Sequence, residues 1–499
     1  MQGAMKAKGH HMFAAFALSG AQSSAPAQKN DARGLGARLW DRLSCAVRRA
    51  GIAACAALAF GFAAVPAQAQ GLLRDTEIEG TLRELTDPIL EVAGLQPSQV
   101  NLYLVNDPTL NAFVAGGQNI FFHSGFLIEV SNINELQGVI AHEVGHIAGG
   151  HLARFASDAG KAGALPTIVA IGLGALAIAA GAPDAGAALI AGSSQFGIIQ
   201  VLGYRQDQEA SADQSAVTYL RTLGLPIDGL VSFMDRFRDL EAFSGANRYP
   251  YFRTHPLAST RVTALQNQAL RFPVVDHAPD PAMQARFELM QAKLIGFLQP
   301  MARVKRRYPE SDTSTPSLYA RAIASFQAGD IERSLVLTEE LTNRDPVNPF
   351  FHELRGQSLF ETGRLKESIA PHRQANVLAP REPLLLINLA RSLIAVSDKP
   401  NSEEVIEAES LLRIAVAEDP TNGFAWSQLA IAYDRLGRPG DARLAAAEAA
   451  YTRGDRPQAL SFARRAQAEL DEGSPAYLRA SDIAALADPR NRFADGQFR

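Results

Sequence analysis

Two shortages narrow what this chain can be. It has only two cysteines, Cys45 and Cys55, and both lie near the N-terminus. Once that stretch is removed on export, no disulfide framework is possible. It also lacks an excess of basic charge. A net charge of −4 provides no global positive field, so nucleic acid is not an expected partner. What is present is ordinary for a folded protein: 47% hydrophobic and 20% charged residues. A length of 499 residues exceeds one ordinary core, so two or three domains are expected.

Residues 1–69 read as an N-terminal extension and signal peptide, outside the fold. Arg48 and Arg49 supply the positive region, Ala50 to Val65 the apolar region, and Ala67-Gln68-Ala69 the cleavage site. The mature chain is then expected to start at Gln70. Ile52-Ala53-Ala54-Cys55 suggests a lipobox, but too few apolar residues separate Arg49 from Cys55 for the usual apolar region.

The centre of the chain is His142-Glu143-Val144-Gly145-His146. Asn132 and Glu135 have the spacing of a capping box, and Leu136, Val139, Ile140 and Val144 keep a helical period. Residues four apart share a helix face, so His142 and His146 project together. Two imidazoles so placed suit one zinc ion per chain, and Glu143 can reach a water held there as a general base. Zinc needs a further protein ligand, for which His151, Glu209 and His255 are available. His151 falls one residue short of the metzincin position and off the face of His146, so it reads as a surface or supporting residue. Glu209, on a second helix, is the better third ligand. Asp213, one turn later, can then accept a hydrogen bond from a ligating histidine and fix its tautomer. His255 precedes a proline and so belongs to an extended segment.

Around this core the pattern predicts an amphipathic helix in 71–96 and strands at 100–105 and 119–128, with a Gly116-Gly117 turn before the second. Asn111, Ala112 and Phe113 lie between those strands. A small antiparallel sheet beside the zinc helix has an edge that can take a substrate peptide as an added strand. Residues 164–203 form a long apolar, glycine-rich insert, for which membrane contact is expected. Beyond Pro316, Gly329 and Gly363 stand 34 residues apart, as do Pro346 and Pro380. That period, with small residues at turns and proline at exits, is the tetratricopeptide (TPR) signature.

Taken in order, HEVGH, Glu209-Ala210-Ser211-Ala212-Asp213, and Thr254-His255-Pro256 with Arg261 resemble the BepA and HtpX group of gluzincin metallopeptidases. The signal peptide and TPR repeats are similar to its periplasmic BepA-like branch. This resemblance implies His142, His146 and Glu209 as zinc ligands and Glu143 as catalytic base. It also implies that His255 either takes the fourth zinc position in a resting state or donates to the oxyanion. Asp213 and Arg261 would support the ligands. By resemblance, the substrates are unfolded or misassembled envelope proteins in a Gram-negative periplasm, and the TPR repeats dock outer-membrane assembly machinery.

The expected fold is mainly α (α+β): a helical zincin domain with a small sheet, then a TPR α-solenoid. The expected boundaries are 70–272 for the peptidase domain, 273–316 for a linker and connecting helix, 317–486 for the solenoid, and 487–499 for a loose tail. The alternatives are a TPR adaptor or chaperone with a latent zinc domain, and an integral membrane metalloprotease.

Overall fold

The computed structural model describes residues 71–151, 206–242, 251, 255, 259–272 and 280–490. The expected signal segment, the apolar insert at 164–203 and the end of the tail lie outside them. The fold is mainly helical, with one small sheet near the start and a long array of paired helices after it.

The sheet has four strands: β1 (Leu72–Leu73), β2 (Asn101–Val105), β3 (Ala112–Ala115) and β4 (Asn119–His123), in the order β1-β2-β4-β3. It is mixed rather than wholly antiparallel. β2 and β4 run parallel, Asn101 opposite Asn119, while β3 pairs antiparallel to β4, Phe113 opposite Phe121. The expected strand 119–128 ends at His123, and α2 (Ser124–Glu129) replaces its second half. Asp107 accounts for the change. Its carbonyl accepts from Gly125 N at 2.9 Å and Ser124 Oγ at 2.9 Å, turning the chain out of the sheet. The Gly116-Gly117 turn, both residues at positive φ, instead joins β3 to β4. Asn111 and its neighbours are thereby carried to the sheet's edge.

α1 (Thr76–Val92) buries Ile78, Leu82, Leu85 and Ile89 against this sheet and the helix at Ile133–Ala148. α3 (Ile133–Ala148) carries the HEVGH motif. Asn132 caps it, its side chain accepting from Glu135 N at 2.9 Å. Glu135 closes the turn on Ser131 N, one residue earlier than a capping box would, because Arg236 also holds it at 2.6 Å. α4 (Gln206–Thr222), α5 (Asp228–Ala242) and α6 (Ser259–Arg271) complete the helical layer, α4 and α5 both packing on α3.

α7 (Pro281–Leu298) connects the two parts, touching α1, α2 and the helix at Thr315–Gln327. A short α8 (Met301–Arg307) follows. The array then runs α9 (Thr315–Gln327), α10 (Ile331–Arg344), α11 (Pro349–Glu361), α12 (Leu365–Leu378), α13 (Pro383–Val396), α14 (Glu403–Glu418), α15 (Gly423–Arg435), α16 (Pro439–Thr452), α17 (Arg456–Gln467) and α18 (Pro475–Ala487). Each helix packs on the next, and α9, α11, α13 and α15 also touch one another in succession. That is the contact pattern of an α-solenoid whose alternate helices line one face. The period seen in the sequence has a geometric counterpart. Gly329 and Gly363 turn at the same φ of +79°, a left-handed conformation that favours glycine.

Residues 71–490 form one compact unit. The inner helices of the array face β1, α1 and α7 across a cleft of about 460 Å³. In its wall Lys293 is almost fully buried, with Nζ 2.7 Å from Asp75 Oδ2, 3.1 Å from Glu77 Oε2 and 3.8 Å from Glu353 Oε2. Tyr319 of α9 donates its hydroxyl to Glu77 Oε2 at 2.8 Å. Among the described residues, no helix is long and apolar enough to cross a membrane.

Candidate metal centre

α3 and α4 can approach closely because Gly145 has no side chain. A Cβ there would lie 2.9 Å from the carbonyl oxygen of Ala212 on α4. This approach brings Glu209 to His142 and His146. Ligand atoms from His142, His146, Glu209 and His255 all lie within 4.8 Å of one another, and all four residues are buried. His142 Nε2 is 3.1 Å from His146 Nε2 and 3.3 Å from His255 Nδ1. Glu209 Oε1 is 3.3 Å from His146 Nε2 and 3.1 Å from His255 Nδ1. Bonds of about 2.0–2.1 Å to a tetrahedral zinc place neighbouring ligand atoms about 3.3 Å apart, which these separations match.

The chemistry of the donors fits as well. Among the described residues, three carboxylates, Glu143, Glu209 and Asp213, are buried with imidazoles and one guanidinium, Arg261. A buried surplus of negative charge beside imidazole lone pairs suits a divalent cation. Burial alone would raise the pKa of Glu209, but His255 and hydrogen bonds from His142, His146 and His255 hold it well below the usual carboxylate range. Burial pushes His146 well below its ordinary value, keeping it neutral as a metal ligand must be. Burial opposes charge on His142 too, yet Asp213 and Glu209 outweigh it and lift its pKa to about 10. Burial raises Glu143, whose Oε1 is 3.4 Å from His255 Nε2.

The surroundings orient the ligands. Asp213 Oδ1 is 2.9 Å from His142 Nδ1, so the carboxylate favours a proton there and leaves Nε2 for the cluster. Arg261 clamps Asp213 with two hydrogen bonds, 2.7 Å from Nε and 2.8 Å from Nη2. Its Nη1 also lies 2.6 Å from Glu209 Oε2, so one guanidinium fixes Glu209 and Asp213 together. This fork holds Asp213 below its ordinary pKa although burial opposes it.

All of the sequence-predicted metal and catalytic residues therefore meet in one place. Asn111 immediately precedes β3, and Ala112 and Phe113 open it, at the edge of the sheet, where β3 packs on α3. Two residues have a larger part than the sequence suggested. His151 is buried, with Nδ1 2.9 Å from His146 Nδ1, where it can accept the proton that leaves Nε2 free. The signal for it was Gly149-Gly150, since positive φ at Gly150 lets the chain fold back after α3. Tyr251 is also buried and stacks on His255, with ring centroids 4.7 Å apart. Its N–H donates to Leu110 O at 3.3 Å, and its carbonyl accepts from His255 N at 2.8 Å. A short chain of contacts thus runs from the start of the edge strand to His255.

Residues 73–269 match the model of Peptidase family M48. The chain is similar over most of its length to the Beta-barrel assembly-enhancing protease of Escherichia coli (strain K12), at 24% identity over 418 residues, which covers 81% of each. The protein of the same name in Yersinia pestis is 24% identical over 414 residues, covering 81% of this chain and 82% of that one. Metalloprotease LoiP of Escherichia coli (strain K12) is 29% identical over 180 residues, 35% of this chain and 63% of that protein. The chain carries an M48-type peptidase domain followed by a TPR-like helical region. The domain and the His/His/Glu/His cluster together support metalloendopeptidase activity.

Proposed function

We propose that this protein is a zinc-dependent metalloendopeptidase of the Gram-negative cell envelope that cleaves misfolded or misassembled envelope and outer-membrane proteins. The convergence of four buried donors beside Glu143 carries this reading. His142, His146 and Glu209 would hold the metal, with His255 at the fourth position in a resting arrangement. Bound zinc supplies a water acidified enough to attack at neutral pH and a Lewis acid for the scissile carbonyl. Glu143 would accept a proton from such a water and return it to the departing amine. His255, whose Nε2 lies 3.4 Å from Glu143 Oε1 in the resting arrangement, must swing aside to admit substrate and then donates to the developing oxyanion. Asp213, Arg261 and His151 keep the ligating rings and Glu209 oriented. The substrate adds to β3 as an extended strand, its backbone pairing along Asn111, Ala112 and Phe113.

The envelope location and substrate class rest on the signal segment and on likeness to beta-barrel assembly-enhancing proteases. The helical region is assigned to docking the outer-membrane assembly machinery or a client, and the apolar run at 164–203 to membrane contact.

The test is metal content and peptidase activity measured together. The purified mature chain should contain one zinc, lost in Glu209→Ala. Glu143→Gln should keep the zinc and lose cleavage of an unfolded outer-membrane protein. A parent chain that takes up no zinc on dialysis would end this reading and leave a TPR adaptor.

A further inference from the structure

Most surface arginines of the helical array are matched to an acid. Arg344 pairs with Glu340, Arg364 with Glu367, Arg373 with Glu407, Arg438 with Asp441 and Arg479 with Glu448. α8 departs from that rule. Its sequence, Met301-Ala302-Arg303-Val304-Lys305-Arg306-Arg307, puts four cations in five positions. Val304 is fully buried in the core shared by α7 and α9, which anchors the helix. Arg303, Lys305, Arg306 and Arg307 are all exposed. Among the described residues, none of the four lies within ion-pair distance of a carboxylate. Arg303 donates to Gln299 Oε1 at 3.1 Å, an amide that leaves its charge uncompensated.

The spacing matters more than the number. Positions 303, 306 and 307 are i, i+3 and i+4, so they share one helix face. They rim an open concavity of about 490 Å³ whose remaining lining is Ile128, Glu129, Ile295 and Gln299. Glu129 is the one acid in that lining, against three guanidiniums. Arg236 donates to the Glu129 carbonyl at 3.1 Å on the opposite bank, but its charge is matched by Glu135 at 2.6 Å, so the positive charge of the hollow is that of α8 alone. A helix C-terminus favours a cation in its last turn, but that effect does not call for three arginines around one hollow.

We propose that this face of α8 is a binding surface for the phosphate headgroups of an anionic lipid layer. Guanidinium is planar and forked, and it takes two phosphate oxygens at once, which an array of headgroups supplies. A headgroup layer needs charge alone and accepts an open, shallow site. A folded acidic protein would need apolar or aromatic anchors to bind well, and here Ile128 is the one apolar side chain with appreciable exposure. The inference is independent of the metal centre and of any cleavage activity.

The experiment is co-sedimentation of the full mature chain with vesicles of phosphatidylcholine, with and without phosphatidylglycerol, at low and high salt. The parent should sediment with the anionic vesicles and be released by salt. The combined variant Arg303→Gln, Arg306→Gln, Arg307→Gln should bind them more weakly by on the order of a hundredfold, with unchanged zinc content and melting temperature. Binding through any other part of the chain survives these substitutions, so the variant isolates this face. Equal binding by parent and variant, or no preference for anionic vesicles, would overturn the proposal. So would binding of inorganic phosphate at these arginines without vesicle binding. Retention on polyglutamate as strong as on vesicles, and lost in the variant, would assign the face to an acidic protein instead.

Discussion

Asp213 touches no substrate, yet its carboxylate sits between Arg261 and His142. Asp213→Asn keeps the shape but weakens the pull on the Nδ1 proton. Zinc affinity, read by competition with a chromogenic chelator, should fall about 10- to 100-fold while the fold persists. A second residue-scale prediction concerns Glu353 of α11. Burial, reinforced by Asp75 and Glu77 and only partly offset by Lys293, lifts its pKa from 4.5 to about 7. Between those values the folded chain holds a proton that the unfolded chain has released. The stability Glu353 contributes is therefore full below pH 4.5 and is lost as pH rises through about 7. Glu353→Gln should flatten that part of the stability profile, measured as the difference in urea midpoint between parent and variant on either side of the window. At this scale the sequence was legible where chemistry and spacing coincide. His142, Glu143, His146, Glu209 and Asp213 all follow from helical i, i+1 and i+4 relations. His151 and Tyr251 do not, because their positions depend on a turn at Gly150 and on a ring stacking across the fold.

Helix–helix approach sets the geometry that those residues use. Gly145 lets α3 lie against the backbone of Ala212, and Gly138 does the same against Leu230 of α5, where a Cβ would come within 2.6 Å of a backbone nitrogen. The two substitutions should separate. Gly145→Ala pushes α4 outward and carries Glu209 away from both histidines, so zinc affinity should drop more than stability. Gly138→Ala wedges α3 from α5, away from the ligands, and should cost about 1–3 kcal/mol of stability in chemical denaturation with zinc binding largely kept. Element types were readable from periodicity in α1, α3 and α4. The strand expected over 119–128 failed for a local reason: its apolar run Phe121, Phe122, Phe126, Leu127 suits a buried strand or a buried helix equally. What decides it is the capture of Ser124 and Gly125 by the Asp107 carbonyl, seventeen residues upstream of Ser124.

Across the whole molecule, the repeat period announced the helical array, but nothing in the sequence announced its seat. Tyr319 and Glu77 are 242 positions apart and meet only in the fold. Lys293 is held among Asp75, Glu77 and Glu353, acids drawn from both sides of the cleft. Lys293→Met should therefore cost about 3–5 kcal/mol, because it strands buried carboxylates without their cation. Calorimetry should show unfolding of the variant at a lower temperature than that of the parent. The same junction bears on the lineage of the chain. An exchange that brought a foreign helical array to this peptidase would leave Glu77 without its phenol and Lys293 without one of its acids. Recombinants joined near Pro316 should fold only when positions 77 and 293 are changed with the array, so the two halves are expected to be inherited as a pair.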